Sequence, residues 1–119
     1  MPAALECCVR RALSNAGVEP AEIELVAPGA AGDGVRAPIE EEALAAVLSN
    51  REVETIRVKH ALGECDAASG SLQLGAVLAW HRADPERDGR VSLITASTAE
   101  GGVAAAAIRG WSRDDAGRR

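Results

Sequence analysis

VKHALGECDAASGSLQLGAVLAW, residues 58–80, joins the end of a strand pattern to a turn of small residues and an apolar helix pattern. Ile56 and Val58 alternate with charged neighbours, which predicts a strand over residues 55–60, and a helix is predicted over residues 67–83. The large apolar side chains of this helix do not form one stripe at about 3.6 residues per turn; they are Leu72, Leu74, Val77, Leu78 and Trp80. A helix that is apolar all round is buried on all sides. We therefore expect this helix to be covered either by other parts of the chain or by a second chain.

The rest of the chain alternates helix and strand patterns, in the overall order αβαβαββ. The further predicted elements are a helix over residues 2–16, a strand over 23–26, a helix that begins near Pro38, and strands over 90–97 and 103–109. This order predicts a layered α/β domain with a mixed sheet, and the last two strands predict a closing antiparallel hairpin. We expect one domain over residues 1–110 and a flexible tail over residues 111–119.

Four blocks of this sequence resemble β-ketoacyl synthases (ketosynthases) of the thiolase-like superfamily, and they come in the family's order. Residues 58–70, VKHALGECDAASG, resemble the family's VKSNIGHTEAAAG, and residues 37–44, APIEEEAL, resemble its DPIEAEAL. Residues 4–29 resemble the helix and strand that lead to the EAHGTGT loop, and residues 94–108 resemble the closing hairpin SSFGFGGTNAHVVL. The resemblance implies the C-terminal half of a thiolase-like fold, a mixed sheet with helices on both faces.

At the positions that carry the family's chemistry, this sequence departs from the pattern. The resemblance places the cysteine nucleophile in an N-terminal half that these residues do not match. Pro28 stands where the family has its first histidine, Glu64 stands at the second, and the family's lysine is retained as Lys59. Thr98 and Glu100 replace the phenylalanines of the closing turn. Because Pro28 cannot bind a proton and an ionised Glu64 would repel an enolate, the resemblance implies a ketosynthase half without the family's catalytic groups.

The densest cluster of chemically versatile side chains consists of His60, Glu64, Cys65 and Asp66. A helix N-terminus close to Cys65 would favour its thiolate, whereas the carboxylates on either side disfavour it. The cluster has no C-x-x-C or H-x-x-x-H spacing, so no metal site is predicted. Two interpretations stay open: a turn whose active-site residues have changed, or a new set of candidate catalytic residues.

Composition and charge restrict the possible partners and location. The net charge is −5 and no basic stripe is present, so nucleic acid is not an expected partner. No apolar segment reaches about eighteen residues and no signal-peptide pattern is present, so no membrane association is expected. Three cysteines, of which Cys7 and Cys8 are adjacent, do not form a disulfide framework, which favours the cytoplasm. The glycine-rich residues 28–34 do not match a phosphate-binding loop, and no cofactor is expected.

These observations lead to two functional hypotheses. The first is a non-catalytic ketosynthase-like accessory subunit of polyketide or fatty-acid type biosynthesis, which acts through complex formation or binds an acyl chain or acyl carrier protein. The second is a small repurposed enzyme for acyl transfer, dehydration or hydrolysis, with a His–Asp or His–Glu pair as general acid and base. A remnant without activity is a third possibility that the sequence leaves open.

The apolar helix also predicts an oligomer. Exposure of three or four large apolar side chains would forfeit about 5–8 kcal/mol, which is comparable to the whole stability of a domain. We therefore expect a homodimer, or a heterodimer with a ketosynthase-like subunit. The residues expected at the interface are Leu72, Leu74, Val77 and Leu78.

Overall fold

The computed structural model describes residues 2–29, 36–57, 69–97 and 102–110. The elements in chain order are α1 (Pro2–Ala16), β1 (Ile23–Ala27), α2 (Arg36–Leu48), β2 (Glu54–Thr55), α3 (Ser69–Ala83), β3 (Val91–Ser97) and β4 (Val103–Arg109). Across the described ranges this is the predicted αβαβαββ order. The ends of α1, α3, β3 and β4 lie within about one residue of the predicted ones wherever those ends are described.

The strands form one mixed sheet in the order β2-β1-β3-β4. β1 pairs in parallel with both β2 and β3, and β3 pairs antiparallel with β4 over all seven residues. The mixed sheet and the closing hairpin are therefore confirmed. Strand β2 departs from the prediction, because only Glu54–Thr55 of its described residues form a strand, and residues 58–60 lie outside the described ranges. The backbone N–H of Ile56 continues the pairing, donating to the carbonyl of Val26 at 2.9 Å.

The larger core lies on one face of the sheet, beneath α1 and α2. Its buried members are Leu5, Val9, Leu13, Val18, Ile23, Val26, Ala43, Leu44, Val47, Leu48, Val91 and Leu93. The spacing of Leu5, Val9 and Leu13 puts one side chain per turn on the inner face of α1. Among the described residues, the core contains aliphatic side chains and no aromatic one.

Helix α1 ends where the sequence places a glycine. Gly17 has φ +69° and donates its N–H to Ser14, while the N–H of Val18 donates to the carbonyl of Leu13 at 2.9 Å. These two bonds are those of a Schellman motif, and the buried side chains of Val18 and Leu13 supply its apolar contact. The turn directs the chain back towards β1, so that α1 covers the β4 side of the sheet.

The opposite face of the sheet carries α3, and this chain covers only one face of that helix. The side chains that face the sheet are Gln73, Val77 and His81, all at most 3 % exposed. Leu74 and Leu78 are 39 % and 44 % exposed. The helix is therefore buried on one face only, and its apolar residues extend beyond that face into solvent.

A buried histidine fastens the last turn of α3 to the sheet. The Nδ1 of His81 lies 3.2 Å from the carbonyl of Arg87, which can only accept a hydrogen bond, so Nδ1 carries the proton. Nε2 of the same ring lies 2.6 Å from the hydroxyl oxygen of Ser92, within hydrogen-bonding distance. The guanidinium of Arg87 also lies 4.3 Å from the centre of the Trp80 ring, whose Nε1 donates to Glu54. These contacts join α3 to both β2 and β3.

Two further findings concern the described residues. No helix among them is long and apolar enough to cross a membrane. Cys7 and Cys8 are both free thiols, one exposed and the other half-buried on α1.

Two alanine substitutions at glycines test the description of the helices. Gly17→Ala places a side chain at positive φ and should destabilise the fold by about 1–2 kcal/mol. Gly75→Ala lies inside α3 with nothing near the added methyl group, so it should stabilise the fold by about 0.5–1 kcal/mol. Urea unfolding followed by circular dichroism measures both, and equal effects of the two changes would contradict this account of the α1 terminus.

Candidate functional site

The carboxyl ends of the parallel strands β1 and β3 form the candidate site, because ligands of α/β folds bind at such ends. Strand β1 ends at Ala27, and the chain continues through Pro28 and Gly29, which are both buried. Pro28 is the residue that stands at the position of the first histidine in the family resemblance. Its ring can neither donate nor accept a proton.

From one face of the sheet, a buried carboxylate reaches this strand end. Glu40 of α2 is 2 % exposed, and its Oε2 accepts the hydroxyl hydrogen of Thr95 at 2.8 Å. The same oxygen accepts the backbone N–H of Gly29 at 3.3 Å. Glu40 thereby connects α2 to both β3 and the residue that follows Pro28. A buried carboxylate is stable only with such donors around it.

From the other face, a buried amide reaches the same two strands. Gln73 of α3 is 2 % exposed, and its Nε2 donates to the carbonyl of Ala27 at 2.8 Å and to the carbonyl of Thr95 at 2.9 Å. Both amide hydrogens are therefore used. We call Glu40, Gln73 and Thr95 the polar clamp. The clamp binds the chain on both sides of Pro28, through the Ala27 carbonyl and the Gly29 N–H.

The absence of a side chain at Gly29 lets the two strand ends approach each other. A methyl group built on Gly29 would lie 2.5 Å from the carbonyl oxygen of Thr95, closer than any stable contact. The backbone of β3 would have to move to accommodate it. The close approach of Gly29 to Thr95 is therefore possible only because residue 29 has no side chain.

An open groove of about 260 Å³ borders the site on the α2 side of β2. Apolar side chains that include Val26, Leu44 and Val53 line it, together with Pro28 and Arg57. Within the described ranges, every buried polar side-chain atom has a hydrogen-bond partner. Those ranges also contain no group of three or more His, Cys, Asp or Glu residues that could hold a metal ion.

The other residues predicted for the site cannot be placed in the fold. Lys59, His60, Glu64, Cys65 and Asp66 all lie within residues 58–68, outside the described ranges. The same holds for residues 98–101 of the closing turn. The repurposed enzyme that would use the His60 cluster therefore stays a prediction.

Sequence analysis missed the polar clamp. Helix α2 begins at Arg36 and its first turn contains no acidic residue, so Glu40 does not lie at the helix N-terminus. Glu40 points inward instead, one turn before Ala43 and Leu44 of the core. The sequence did contain a signal for both residues. Glu40 and Gln73 are polar, but their spacing from the apolar residues of their helices places them on the core-facing side.

Comparison with known proteins supports the resemblance seen in the sequence. The sequence profile described as "Beta-ketoacyl synthase, C-terminal domain" matches residues 1–84. Among solved structures, the chain is similar to one named "The ishigamide ketosynthase/chain length factor", with 33 % identity and a TM-score of 0.71. That similarity covers 93 % of this chain and 30 % of the other chain, so this chain spans less than a third of that structure's length. Among curated proteins, none matches this chain.

Two valine substitutions test the polar clamp. Thr95→Val keeps the shape of the side chain but removes a donor from a buried carboxylate, which should destabilise the fold by about 1–3 kcal/mol. Thr55→Val removes an exposed hydroxyl that donates only to the nearby Val53 carbonyl, and should change stability by less than about 0.5 kcal/mol. Chemical denaturation with constant m-value gives both numbers. Comparable losses for the two variants would argue against a buried bond between Thr95 and Glu40.

Proposed function

Because this chain belongs to the family of β-ketoacyl synthase C-terminal domains, we propose that it is a non-catalytic ketosynthase-like partner subunit of polyketide or fatty-acid type biosynthesis. It acts through complex formation, or by holding an acyl chain or an acyl carrier protein, and does not itself form carbon–carbon bonds. The expected cytoplasmic location belongs to the same proposal, because it is drawn from the cysteine content. The observation that carries the proposal is the buried Pro28 at the end of β1, inside a fold of the ketosynthase type.

The chemistry at the strand end supports a non-catalytic role. An oxyanion is stabilised by donors that are aimed at it and free to bind it. At this strand end, both amide hydrogens of Gln73, the hydroxyl of Thr95 and the N–H of Gly29 are already donated within the chain. Pro28 contributes no donor. These groups stabilise the fold instead of a reacting carbonyl.

The similar solved structure supports a role within an assembly. Its name joins a ketosynthase with a chain length factor, and this chain matches 30 % of its length. An assembly of this kind would supply the parts of the fold that these residues do not match. We therefore favour a ketosynthase-like subunit as the partner, with a second copy of this chain as the alternative.

Helix α3 supplies the proposed contact surface. Leu74 and Leu78 lie one turn apart and are exposed, whereas Leu72 is half-buried. Val77 is fully buried against this chain's own sheet, so it is not available to a partner, and we remove it from the predicted interface. Leu74 and Leu78 form an apolar ridge of the kind that a protein interface buries.

A condensation assay tests the absence of catalysis. The chain is incubated with malonyl- and acyl-loaded acyl carrier protein, alone and together with the ketosynthase-type subunits co-expressed with it. We expect no decarboxylation or condensation by the chain alone. A substitution of His60 or Cys65 to alanine should leave the output of the complex unchanged. Turnover by the isolated chain that disappears in either variant would overturn the proposal in favour of a repurposed enzyme.

A double substitution on α3 tests the contact surface. Leu74→Gln with Leu78→Gln replaces the apolar ridge by amides, which should weaken association at least about tenfold while the monomer stays folded. Native mass spectrometry of co-expressed subunits measures the fraction in complex. Ala46→Gln, an exposed change on α2, is the matched control and should leave association unaltered. Complex formation that is insensitive to the α3 variant would exclude this surface.

A further inference from the structure

Gln73 lies on the face of α3 that packs against the sheet. It lies one turn before Val77 and two turns before His81, on the same buried stripe. A buried amide without partners is costly, whereas an apolar side chain at this position would need none. The presence of an amide here therefore calls for a role that packing does not explain.

The two hydrogen bonds of Gln73 lie where the backbone pairing between β1 and β3 ends. The last paired residues of these strands are Ala27 and Ile94. Beyond that pair, the regular backbone pairing ends at Pro28, which has no N–H, and the carbonyls of Ala27 and Thr95 accept from one nitrogen of Gln73. The amide thus adds side-chain hydrogen bonds at the point where the backbone pairing of the two strands ends.

Thr95 receives contacts from both faces of the sheet. Its carbonyl accepts from Gln73 of α3, and its hydroxyl donates to Glu40 of α2. Glu40 in turn holds the N–H of Gly29. A chain of hydrogen bonds thus runs from α3 through β3 to α2 and ends on the residue after Pro28.

We propose that Gln73 is a positioning residue, through which helix α3 sets the conformation of the β1 end at Pro28 and Gly29. Gln73 directly precedes Leu74, so a displacement of α3 at its exposed ridge moves the amide and the two carbonyls that it holds. Burial of the ridge by a partner restrains α3 and therefore also restrains the strand end. This last step rests on the proposed function, whereas the positioning role of Gln73 belongs to the isolated chain.

Hydrogen exchange of the isolated 119-residue chain tests the positioning role. Gln73→Leu removes both donors at similar size and takes one hydrogen bond from each of two buried carbonyls, so exchange at Gly29 should accelerate about ten- to hundredfold. Gln73→Glu removes the same donors and adds a carboxylate beside those carbonyls, and should act at least as strongly. Ala79→Gln, an exposed change on the same helix outside the ridge, is the control and should leave exchange at Gly29 unchanged.

The pattern of exchange separates positioning from simple stability. Faster exchange confined to Gly29 and the residues around Thr95, with α1 amides at the wild-type rate, supports the proposal. Unchanged exchange at Gly29, or an equal acceleration throughout α1 and α2, overturns it. If Gln73→Glu does not fold, Gln73→Leu provides the same comparison.

A complex with a co-expressed ketosynthase-type subunit tests the link to the partner. Gly29 should exchange more slowly in the wild-type complex than in the free chain, and Gln73→Leu should abolish this difference while the mass of the complex stays the same. An undiminished difference in the variant refutes the link. Failure to form any complex would refute the proposed function, and the exchange result on the isolated chain would stand independently.

Discussion

The bonds that converge on Thr95 are the constraint on which the geometry of this domain depends. The backbone pairing of β1 with β3 ends at Ala27 and Ile94. The N–H and carbonyl groups at this strand end lie in the interior, where water cannot form hydrogen bonds with them. Glu40 and Gln73 satisfy these groups from opposite faces of the sheet. Since α2 carries one and α3 carries the other, both helices are held in register with the sheet by polar contacts as well as by apolar packing.

The same bonds leave the strand end without free hydrogen-bond donors among the groups described above. A catalytic site keeps donors directed at the position where charge develops, and this requires that they remain unsatisfied within the protein. Here the donors around Pro28 are bound to the chain itself. Pro28 and the hydrogen-bonded arrangement around it are thus consistent with each other, because a residue that neither donates nor accepts a proton through its side chain lets the neighbouring groups bond within the chain.

Periodicity was enough to predict the elements, their order and the antiparallel hairpin, because apolar spacing reports directly on which face is buried. It did not identify the sheet-facing stripe of α3, in which Gln73 and His81 lie beside Val77. A hydrophobic pattern assigns polar residues to the solvent, so it cannot identify buried ones whose partners are distant in sequence. The same limit concealed Glu40, whose bonds span 11 and 55 residues along the chain.

The exposed apolar surface of α3 also determines how much free energy this chain gains when a partner covers it. Leu74 and Leu78 are about 40 % exposed, so burial of their remaining surface would contribute about 1–2 kcal/mol. This free energy is well below the cost of exposure that was expected from the sequence. A stable interface buries about 800 Å² per partner, which two leucines alone cannot provide. The register of the hairpin supplies more apolar surface, because exposed Ala104 and Ala106 pair with Ala96 and Ile94 on the α3 side of the sheet. A partner that covers α3 must therefore extend over this side of β3 and β4 to gain the area that stable association requires.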